Sequence, residues 1–558
     1  MYLIFFLVNA SSLVFMSNLG GELLYLPVNS LLFFILSYYL LYSLLSYDFG
    51  LPVFVTHKLS AVLVALLFLF SVALLAGVHE PLEWVLRIGY LMFGFLLLFV
   101  LLQEPISRLH NYVSILICFL VVHALVGLVQ ILISAEESSV IPLNLQAVPV
   151  GIFQQVNVQA SLMVTAIVLA IYSLICLHAN SLVRWFSFVL IALASLVLFA
   201  SGSRVGLLGL LFVLPMILLA NWSSIRQQKN TFFVILLAFF MGSAAGVTLS
   251  DGFYHAHSKL ERLAEGGQDL RPVIYRVSWD IFKESPIHGH GIGSFSPVFH
   301  EKVALYQAEL GGIDIIGSAR YSHPHNELLF WAVEGGVLAV FGLLLFAVTV
   351  FYALLQQRFR KGLTFFALIF PIALHTMVEL PFYTSVYHWF IFVFLLALLF
   401  KQTAYPIHFN ISQSMQMLIK GSVGLVLVVS MVFFAGSFYI SQQLPRIIYQ
   451  GKGSLEQLYS FRKHPYFTDF AVRMTYANLV LHERDEGEVE INRQYAEWME
   501  NYLQRVPDIN VFIELIRVYD YLSEVEKLKA ASERALYLYP EHKGINAVVD
   551  ELSLRNLP

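Results

Sequence analysis

Long apolar runs separated by short polar loops fill most of the first 440 residues of the chain. Because a helix needs roughly 20 apolar residues to cross a bilayer, the pattern predicts thirteen membrane spans, or twelve if a short run does not cross. Backbone groups in lipid must form hydrogen bonds within their own segment, so the spans are predicted to be α-helical. They are expected near residues 2–17, 22–46, 58–77, 86–102, 111–134, 158–178, 185–200, 204–220, 231–249, 326–355, 363–381, 385–401 and 421–440.

Lysine and arginine in the short loops indicate how the spans are oriented, because basic loops stay on the cytoplasmic side. The strongest signal is QQRFRKG, with Arg358, Arg360 and Lys361. When the spans are counted outward from it, the other basic loops fall on the same side; they contain Lys58, Arg108, Arg184, Arg226, Lys229, Lys401 and Lys420. The pattern predicts a cytoplasmic N-terminus and an external C-terminus, with the segments richest in unusual polar residues all outside.

The pattern changes after about residue 441, where charged residues alternate with apolar ones at helical spacing. The ending ASERALYLYP is similar to the second helix of a tetratricopeptide-type repeat. We therefore predict an all-α protein made of four parts. These are a transmembrane bundle over 1–249, an external loop over 250–325, a second bundle over 326–440 and an α-helical external domain over 441–558.

Composition supports the membrane assignment and excludes other classes. The chain of 558 residues is 58% hydrophobic and 13% charged, with a mean hydropathy of +0.73, which is typical of a polytopic membrane protein. A net charge of -4 gives no reason to expect nucleic acid. The two cysteines, Cys118 and Cys176, lie in apolar runs without metal or redox spacing, and we expect Met1 to begin a first span rather than a cleaved signal.

The segment SHPHNELLFWAVEGG places polar residues at the start of an apolar run. Pro324 and Asn326 predict a helix that begins just after them, with His325 at the outer membrane surface. A histidine there can accept a proton from a hydroxyl, or His323 and His325 can simply be solvated by lipid headgroups. Glu334, two turns deeper, is expected to face the protein interior. There it would pair with an arginine, orient a histidine or join two helices by a hydrogen bond.

Arginines mark two further segments. Arg271 and Arg276 precede Trp279 and the glycine-spaced GHGIGSF, and Arg204 lies in SGSR between two apolar runs. An arginine offers a planar fork that matches phosphate oxygens. The alternative for Arg271 and Arg276 is an amphipathic helix on the membrane with its arginines at the headgroups. The glycine spacing lacks the strand–loop–helix context of a nucleotide site, which excludes a nucleotide fold.

Two more polar segments lie on the predicted outer side. GIFQQVNVQA places Gln155 and Asn157 before the sixth span, where amides can bind substrate hydroxyls or cap the helix. HTMVELPFYTSVYHW brings His375, Glu379 and Tyr383 to an outside turn, with helix packing as the expected role of His375. The polar residues favour an enzyme acting on a lipid-linked anionic substrate. A transporter would show inverted repeats and polar residues at the midplane, and neither is evident.

Four motifs together resemble the O-antigen ligase and polymerase (WaaL/Wzy) superfamily. They are GIFQQVNVQA, SGSR, the Arg-x-x-Trp element followed by PIHGHGIGSF, and SHPHNELLFWAVEGG. Within it, the chain is similar to the bacterial O-linked oligosaccharyltransferases (PglL-like), which glycosylate pilins and other periplasmic proteins. This closer similarity rests on the Gln-x-Asn element, on LHTMVELPFY and on the helical C-terminal region.

The resemblance implies an inner-membrane enzyme that transfers a preassembled glycan from undecaprenyl-diphosphate to Ser or Thr of a periplasmic protein such as pilin. Ligation to lipid A-core and polymerisation of repeat units share the donor chemistry and stay open, as does a lipid-linked glycan transporter as the non-enzyme alternative. The implied partners are the lipid-linked oligosaccharide, the acceptor protein and membrane lipid. No metal or other cofactor is implied.

The resemblance also assigns roles by position, with the 250–325 loop as the periplasmic catalytic loop. His325 matches the essential histidine, with His323 as a second candidate. Arg204 and Arg276 match arginines that hold the diphosphate, with Arg271 as a second candidate. Further side chains are expected to bind substrate or support these groups; they are Gln155, Asn157, Tyr383, Asn326, Glu334 and Glu379.

Overall fold

A computed structural model describes residues 1–133, 141–142, 148–177, 179–250, 270–317, 320–482 and 488–555. Two parts of the predicted 250–325 loop, residues 251–269 and 318–319, lie outside the described residues. So does part of the segment before the sixth span. The described chain is mostly helical, which confirms the all-α prediction. Its described strands are the three-residue β1, Val53–Val55, and β2, Tyr405–Ile407, which pair in antiparallel fashion.

Helices occupy all thirteen predicted span positions, and further helices follow in the loop and the C-terminal region. The first ten are α1 Tyr2–Ser11, α2 Pro27–Ser46, α3 His57–Leu75, α4 Pro81–Gln103, α5 Ile106–Leu132, α6 Val156–Ile175, α7 Ser181–Ser201, α8 Arg204–Ala220, α9 Trp222–Gln227 and α10 Lys229–Leu249. The next are α11 Arg271–Glu284, α12 Phe295–Glu309, α13 Glu327–Leu355, α14 Phe359–Thr376, α15 Pro381–Thr384, α16 Val386–Lys401 and α17 Gln413–Ile448. The C-terminal helices are α18 Leu455–Ser460, α19 Thr468–His482, α20 Glu488–Arg505, α21 Ile509–Tyr521, α22 Val525–Leu538 and α23 Lys543–Arg555.

Nine of the described helices are long and apolar enough to cross a membrane, so the chain is a multi-pass membrane protein. They are α2 to α7, α10, α13 and α17, and α1, α8 and α16 are shorter apolar helices. The expected first span over 2–17 is wrong in length, because α1 ends at Ser11 after 10 residues. The hydroxyls of Ser11 and Ser12 bond the carbonyls of Val8 and Asn9, a local alternative that competes with continued helix.

Two compact units make up the chain, and each is assembled from separated stretches of sequence. The first contains Met1–Val64, Leu91–Gly267 and Leu345–Gln450. The second contains Ala65–Tyr90, Gln268–Leu344 and Gly451–Pro558. The second unit therefore contains both the loop that carries His323 and His325 and the C-terminal helices. The four-part division made from the sequence stays a prediction.

In the first unit the core is built around α6, whose membrane-crossing stretch is fully buried. It packs against α7, α8 and α14, and α10 packs along α7. The last contact depends on small residues: a Cβ at Gly242 or Gly246 would lie 2.1 or 2.3 Å from carbonyl oxygens of α7. Small residues four apart are the usual means of close helix approach in membranes.

The basic loops meet at one end of the first unit. Hydrogen bonds join Lys58 to Thr403 (2.5 Å), Lys361 to Gln402 (2.6 Å), Lys401 to the Leu102 carbonyl (2.6 Å), Lys420 to the Leu45 carbonyl (2.9 Å) and Arg360 to Ser223 (2.8 Å). The loops that the charge pattern groups together thus lie together in space. Their placement in the cytoplasm stays a prediction.

In the second unit the C-terminal helices share a core with α12. Ala304 of α12 is buried in a cluster with Met499, Phe512, Ile516 and Leu538. Ion pairs reinforce the contact: Glu301 with Arg534 (2.6 Å), Arg320 with Asp508 (3.3 Å) and Glu80 with Arg505 (2.9 Å). The C-terminal helices are therefore packed directly on the segment that leads to His323 and His325.

Candidate active site

The two histidines that flank Pro324 lie side by side in the second unit. Their ring centroids are 4.5 Å apart, and the backbone N–H of His325 donates to Nδ1 of His323 at 3.2 Å. This bond leaves the proton of a neutral His323 ring on Nε2. His325 has a φ of +55°, a conformation that side chains with a Cβ rarely adopt. Tyr275 supports it, with its hydroxyl donating to the His325 carbonyl at 3.4 Å.

Asn326 caps the helix that follows, as the sequence predicts. Its Oδ1 accepts a hydrogen bond from the backbone N–H of Leu329 at 2.8 Å, and α13 begins at Glu327. Glu327 in turn accepts from the indole of Trp331 at 3.0 Å. His325 therefore lies immediately before a capped helix start, which fixes the direction of the chain at the candidate catalytic histidine.

Glu334 is buried in the second unit and pairs with an arginine. Its Oε2 lies 2.5 Å from Arg87 of α4, and its Oε1 accepts from the backbone N–H groups of Gly293 and Phe295, each at 3.1 Å. Arg87 also bonds Glu83 and lies over the ring of Phe330 at 4.2 Å. Of the alternatives for Glu334, pairing with an arginine is the one observed. A carboxylate with these partners is a structural anchor for α13.

The glycine-spaced loop after α11 surrounds Glu334. Among its described residues it does not form a phosphate-binding loop. The backbone N–H of Gly291 donates to the Glu334 carbonyl at 2.9 Å, and Val337 donates to the Pro286 carbonyl at 2.7 Å. Contact is so close that a Cβ at Gly289 would lie 2.4 Å from the Glu334 backbone. Opposite it, Gly336 interrupts α13 with φ +60° and ψ -157°.

Replacing Gly336 by alanine should lower the thermal stability of the purified protein markedly. The new Cβ would lie 2.5 Å from the Ile287 backbone, and a residue with a Cβ in this backbone conformation costs roughly 1–3 kcal/mol before any clash. Gly421→Ala is the matched control, because nothing lies within 4 Å of its Cβ position. An unfolding midpoint of Gly336→Ala equal to that of the control would contradict the close packing of loop and helix.

Arg271 and Arg276 lie on α11, which buries Ile274, Val277 and Ile281 on its opposite face. Arg276 is on the exposed side, and no carboxylate lies within 4 Å of it among the described residues. The same helix carries Tyr275, the residue that contacts the His325 carbonyl. Helix α11 therefore carries both the exposed Arg276 and Tyr275, whose hydroxyl contacts the backbone of the candidate histidine.

His300 of α12 is a buried residue that the sequence did not single out. Its Nε2 accepts from the backbone N–H of Tyr321 at 3.1 Å, and its ring lies 5.4 Å from that of Tyr539 in the C-terminal helices. Burial, with a smaller effect of nearby Arg320, lowers the pKa of His300 from 6.5 to about 4. The neutral ring thus links the C-terminal helices to the chain that leads to His323.

We expect the stability of this link to depend on pH. The folded pKa of His300 is below the unfolded value, so its contribution is complete above pH 6.5 and is lost as pH falls toward 4. A shift of this size corresponds to about 3 kcal/mol. His300→Gln keeps an acceptor for Tyr321 and does not titrate, so its unfolding midpoint should fall less between pH 7 and pH 5. Equal pH slopes for the two proteins would contradict this role.

In the first unit, the GIFQQVNVQA and SGSR motifs meet. Gln155 is the residue before α6, and the Oδ1 of Asn157 accepts from the Ser203 hydroxyl at 2.8 Å. Ser203 caps α8 by accepting from Gly206 at 3.2 Å, and Arg204 is the first residue of that helix. Arg204 is exposed, with no carboxylate within 4 Å among the described residues. The amides and the arginine therefore share one polar end of the unit.

The ELPFYTSVYH turn lies at the same end. Ser161 of α6 is 2.8 Å from Nδ1 of His375 and 3.3 Å from Nε2 of His388. His375 is fully buried between helices, in keeping with its expected packing role. The backbone N–H of Glu379 donates to the His375 carbonyl at 2.9 Å, and Tyr383 lies half-buried in the short helix α15.

Comparison with known families matches three parts of the chain. Residues 186–347 match the O-antigen ligase family, and residues 363–551 match the C-terminal part of the virulence factor membrane-bound polymerases. Residues 149–173 match the protein glycosylation ligase family. Together the three matches support an O-antigen ligase superfamily member with features of the protein glycosylation ligases. No curated protein matches it.

The matches cover every candidate residue. Arg204, Arg276, His325 and Glu334 fall within the O-antigen ligase part, and the Gln-x-Asn element falls within the protein glycosylation ligase part. The matched families indicate an O-antigen ligase-type enzyme that joins or polymerises glycans. A lipid-linked glycan is the general type of donor in this superfamily, and the glycosylation ligase segment indicates protein as acceptor.

Sequence reasoning missed Arg87, Tyr275 and His300. Arg87 had a usable signal, because an arginine inside an apolar run needs a partner and Glu334 was the buried carboxylate without one. Tyr275 and His300 had none: an aromatic and a histidine on amphipathic helices are ordinary residues, and only the fold brings them to the His325 and Tyr321 backbones.

Proposed function

We propose that this superfamily member is an O-oligosaccharyltransferase of the bacterial inner membrane. It transfers a preassembled glycan en bloc from undecaprenyl-diphosphate to a Ser or Thr hydroxyl of a periplasmic protein such as pilin. The observation that carries the choice of protein as acceptor is the match of residues 149–173 to the protein glycosylation ligase family. That segment contains Gln155 and Asn157, the residues that begin α6 beside Arg204 in the first unit.

His325 is the proposed base. The acceptor hydroxyl oxygen attacks the anomeric carbon, a new C–O bond forms, and the bond from that carbon to the diphosphate oxygen breaks. The diphosphate leaves with the electron pair, and the hydroxyl proton passes to the His325 ring. His323 lies next to this ring and holds the His325 backbone, so it is assigned a positioning role.

Arginines are proposed to stabilise the leaving diphosphate, on which negative charge grows as the bond breaks. Arg276 is supported by its exposure on the helix that contacts the His325 backbone, and Arg204 by its position at the polar end of the first unit. Arg271 lies one turn before Arg276 and is the alternative. Asn326 and Glu334 support the reaction indirectly, through the start of α13 and its anchor. Gln155, Asn157, Tyr383 and Glu379 are proposed to bind the glycan or the acceptor.

The proposed orientation has the N-terminus in the cytoplasm and the C-terminal helices in the periplasm. The meeting of the basic loops at one end of the first unit supports it, since a single cytoplasmic side would then hold all of them. The predicted 250–325 catalytic loop and the 441–558 domain would both be periplasmic. A membrane-impermeant reagent should then label a cysteine introduced at Lys452 and not one introduced at Arg358.

The proposal is tested in cells that lack their own transferase and that make a lipid-linked glycan. Wild-type protein is expressed with a pilin and a lipid A-core acceptor present together, and the mass of each acceptor is measured. A glycan on pilin Ser or Thr is the expected result. A glycan on lipid A-core alone would overturn the protein acceptor and make the chain a lipid ligase.

Repeat-unit polymerisation is the second candidate, because residues 363–551 match the C-terminal part of membrane-bound polymerases. The same cells separate it from the first. A polymerase would lengthen the lipid-linked glycan into a ladder of repeat units and leave both acceptors unmodified. A transferase leaves the length of the donor glycan unchanged and adds it whole to the acceptor.

A further inference from the structure

A cavity of about 680 Å³ opens in the first unit, at the end where the basic loops meet. Its polar lining includes Thr56, His57, Lys58, Gln356, Thr403 and Tyr405. The antiparallel pair of β1 and β2 borders it, since Val55 pairs with Tyr405. None of these residues takes part in the proposed transfer, and the candidate residues Gln155 and Arg204 lie where α6 and α8 begin, at the other end of the unit's helices.

Lys58 gives the cavity a buried positive charge. Only 5% of the residue is exposed, and its ammonium contacts Oε1 of Gln356 and, at 2.5 Å, Oγ1 of Thr403. Both partners are neutral, and no carboxylate lies within 4 Å of Lys58 in the part of the chain that the structure describes. Burying an ammonium without an opposite charge is costly, so an anion at this position would stabilise the protein.

Other donors around Lys58 suit an anion with several oxygens. The hydroxyl of Tyr405 lines the same space, and the ring of His57 lies 3.4 Å from it. Helix α3 begins at His57, so its positive end also borders the cavity. A phosphate group has the charge and the acceptor oxygens to use these donors together.

One wall of the cavity is apolar and faces outward. Val348 and Tyr352 of α13 line it and are 61% and 55% exposed, and the neighbouring Phe351 and Leu355 on this part of α13 are exposed as well. Such a surface on a membrane helix is suited to acyl chains. The cavity therefore offers a charged pocket beside a strip for hydrocarbon, as a phospholipid needs.

We propose that this cavity binds the phosphate headgroup of an anionic phospholipid. The lipid phosphate pairs with Lys58, and its acyl chains lie along Val348 and Tyr352. Bound there, it bridges the start of α3, the end of α13 and the chain after α16. A soluble phosphate compound shares the headgroup chemistry and lacks the acyl chains, so it serves as the comparison ligand.

The test uses purified full-length protein, stripped of lipid in detergent and titrated in a native mass spectrometer. The ligands are phosphatidylglycerol, diacylglycerol and glycerol 3-phosphate. Lys58→Met should weaken phosphatidylglycerol binding at least about tenfold, because a charge-assisted hydrogen bond is lost. Lys58→Arg should stay near wild type, and Lys361→Met, an exposed cation of the same end, serves as the matched control.

Ala61→Trp provides a second variant that keeps the charge and fills the cavity, and it should also weaken binding. Diacylglycerol should not bind at this site in any variant. Equal phosphatidylglycerol binding by wild type, Lys58→Met and Ala61→Trp would overturn the proposal. Displacement of the lipid by an equal concentration of glycerol 3-phosphate would overturn the lipid assignment and leave a soluble phosphate as the ligand.

Discussion

His325→Ala is expected to abolish glycan transfer while the protein stays folded in the membrane. A general base contributes typically about 10²–10⁴-fold to the rate, so the rate of transfer should fall by at least about 10²-fold. The ring of His325 is half-buried, and the structure fixes its backbone through His323 and Tyr275. Removing the imidazole therefore removes the chemistry and leaves these backbone contacts in place.

Two further variants separate chemistry from folding. His325→Asn removes the imidazole, and asparagine tolerates the positive φ of +55° better than alanine does. It should fold as well as wild type and be equally inactive. His288→Ala is the control, since His288 is an exposed histidine of the same unit. Transfer by both His325 variants at the wild-type rate would remove His325 from the mechanism and make His323 the next candidate.

Arg87→Ala is expected to be the most destabilising single substitution in the second unit. It leaves the buried carboxylate of Glu334 with its two backbone donors and without its cation. Breaking one partner of a buried pair costs about 3–5 kcal/mol, which should greatly reduce the amount of folded protein in the membrane. Folded yield and the unfolding midpoint of the detergent-purified protein measure the effect.

Glu334→Gln should be milder, because a glutamine oxygen still accepts from Gly293 and Phe295, and Arg87 keeps Glu83 as a partner. Combining Arg87→Met with Glu334→Gln should recover stability relative to Arg87→Ala, since no buried charge is then left unpaired. Lys283→Ala, an exposed cation with a surface ion pair to Asp280, is the control and should have little effect. Additive losses in the double variant would contradict direct pairing.

The sequence predicted well what depends on local pattern. Run length located the thirteen helical positions, and the order Pro324, His325, Asn326 was enough to predict the helix start and its cap. Lysine and arginine in the short loops also predicted that the amide and arginine motifs would lie on one side. The Asn157–Ser203 bond joins two of those motifs in the first unit.

Long-range pairing is predictable only in part. Arg87 and Glu334 are 247 positions apart, and an arginine inside an apolar run signals that it needs a partner, but no local rule proves which carboxylate that partner is. The glycines of GHGIGSF have positive φ and lie in close contact with neighbouring atoms, and both features require glycine. They would be required equally in a loop that surrounds a phosphate and in one that, as here, surrounds a glutamate side chain. The first span was overestimated because hydropathy continues past Ser11 and serine hydroxyls end the helix there.

The most direct test reconstitutes purified protein with an undecaprenyl-diphosphate-linked glycan and a peptide acceptor that contains one serine. Intact mass of the peptide and release of the lipid diphosphate are followed together for wild type and His325→Asn. We expect wild type to add one whole glycan per serine with one diphosphate released, no transfer to the Ser→Ala peptide, and no product with the variant. Diphosphate release without peptide modification, or equal product from the variant, would contradict the account.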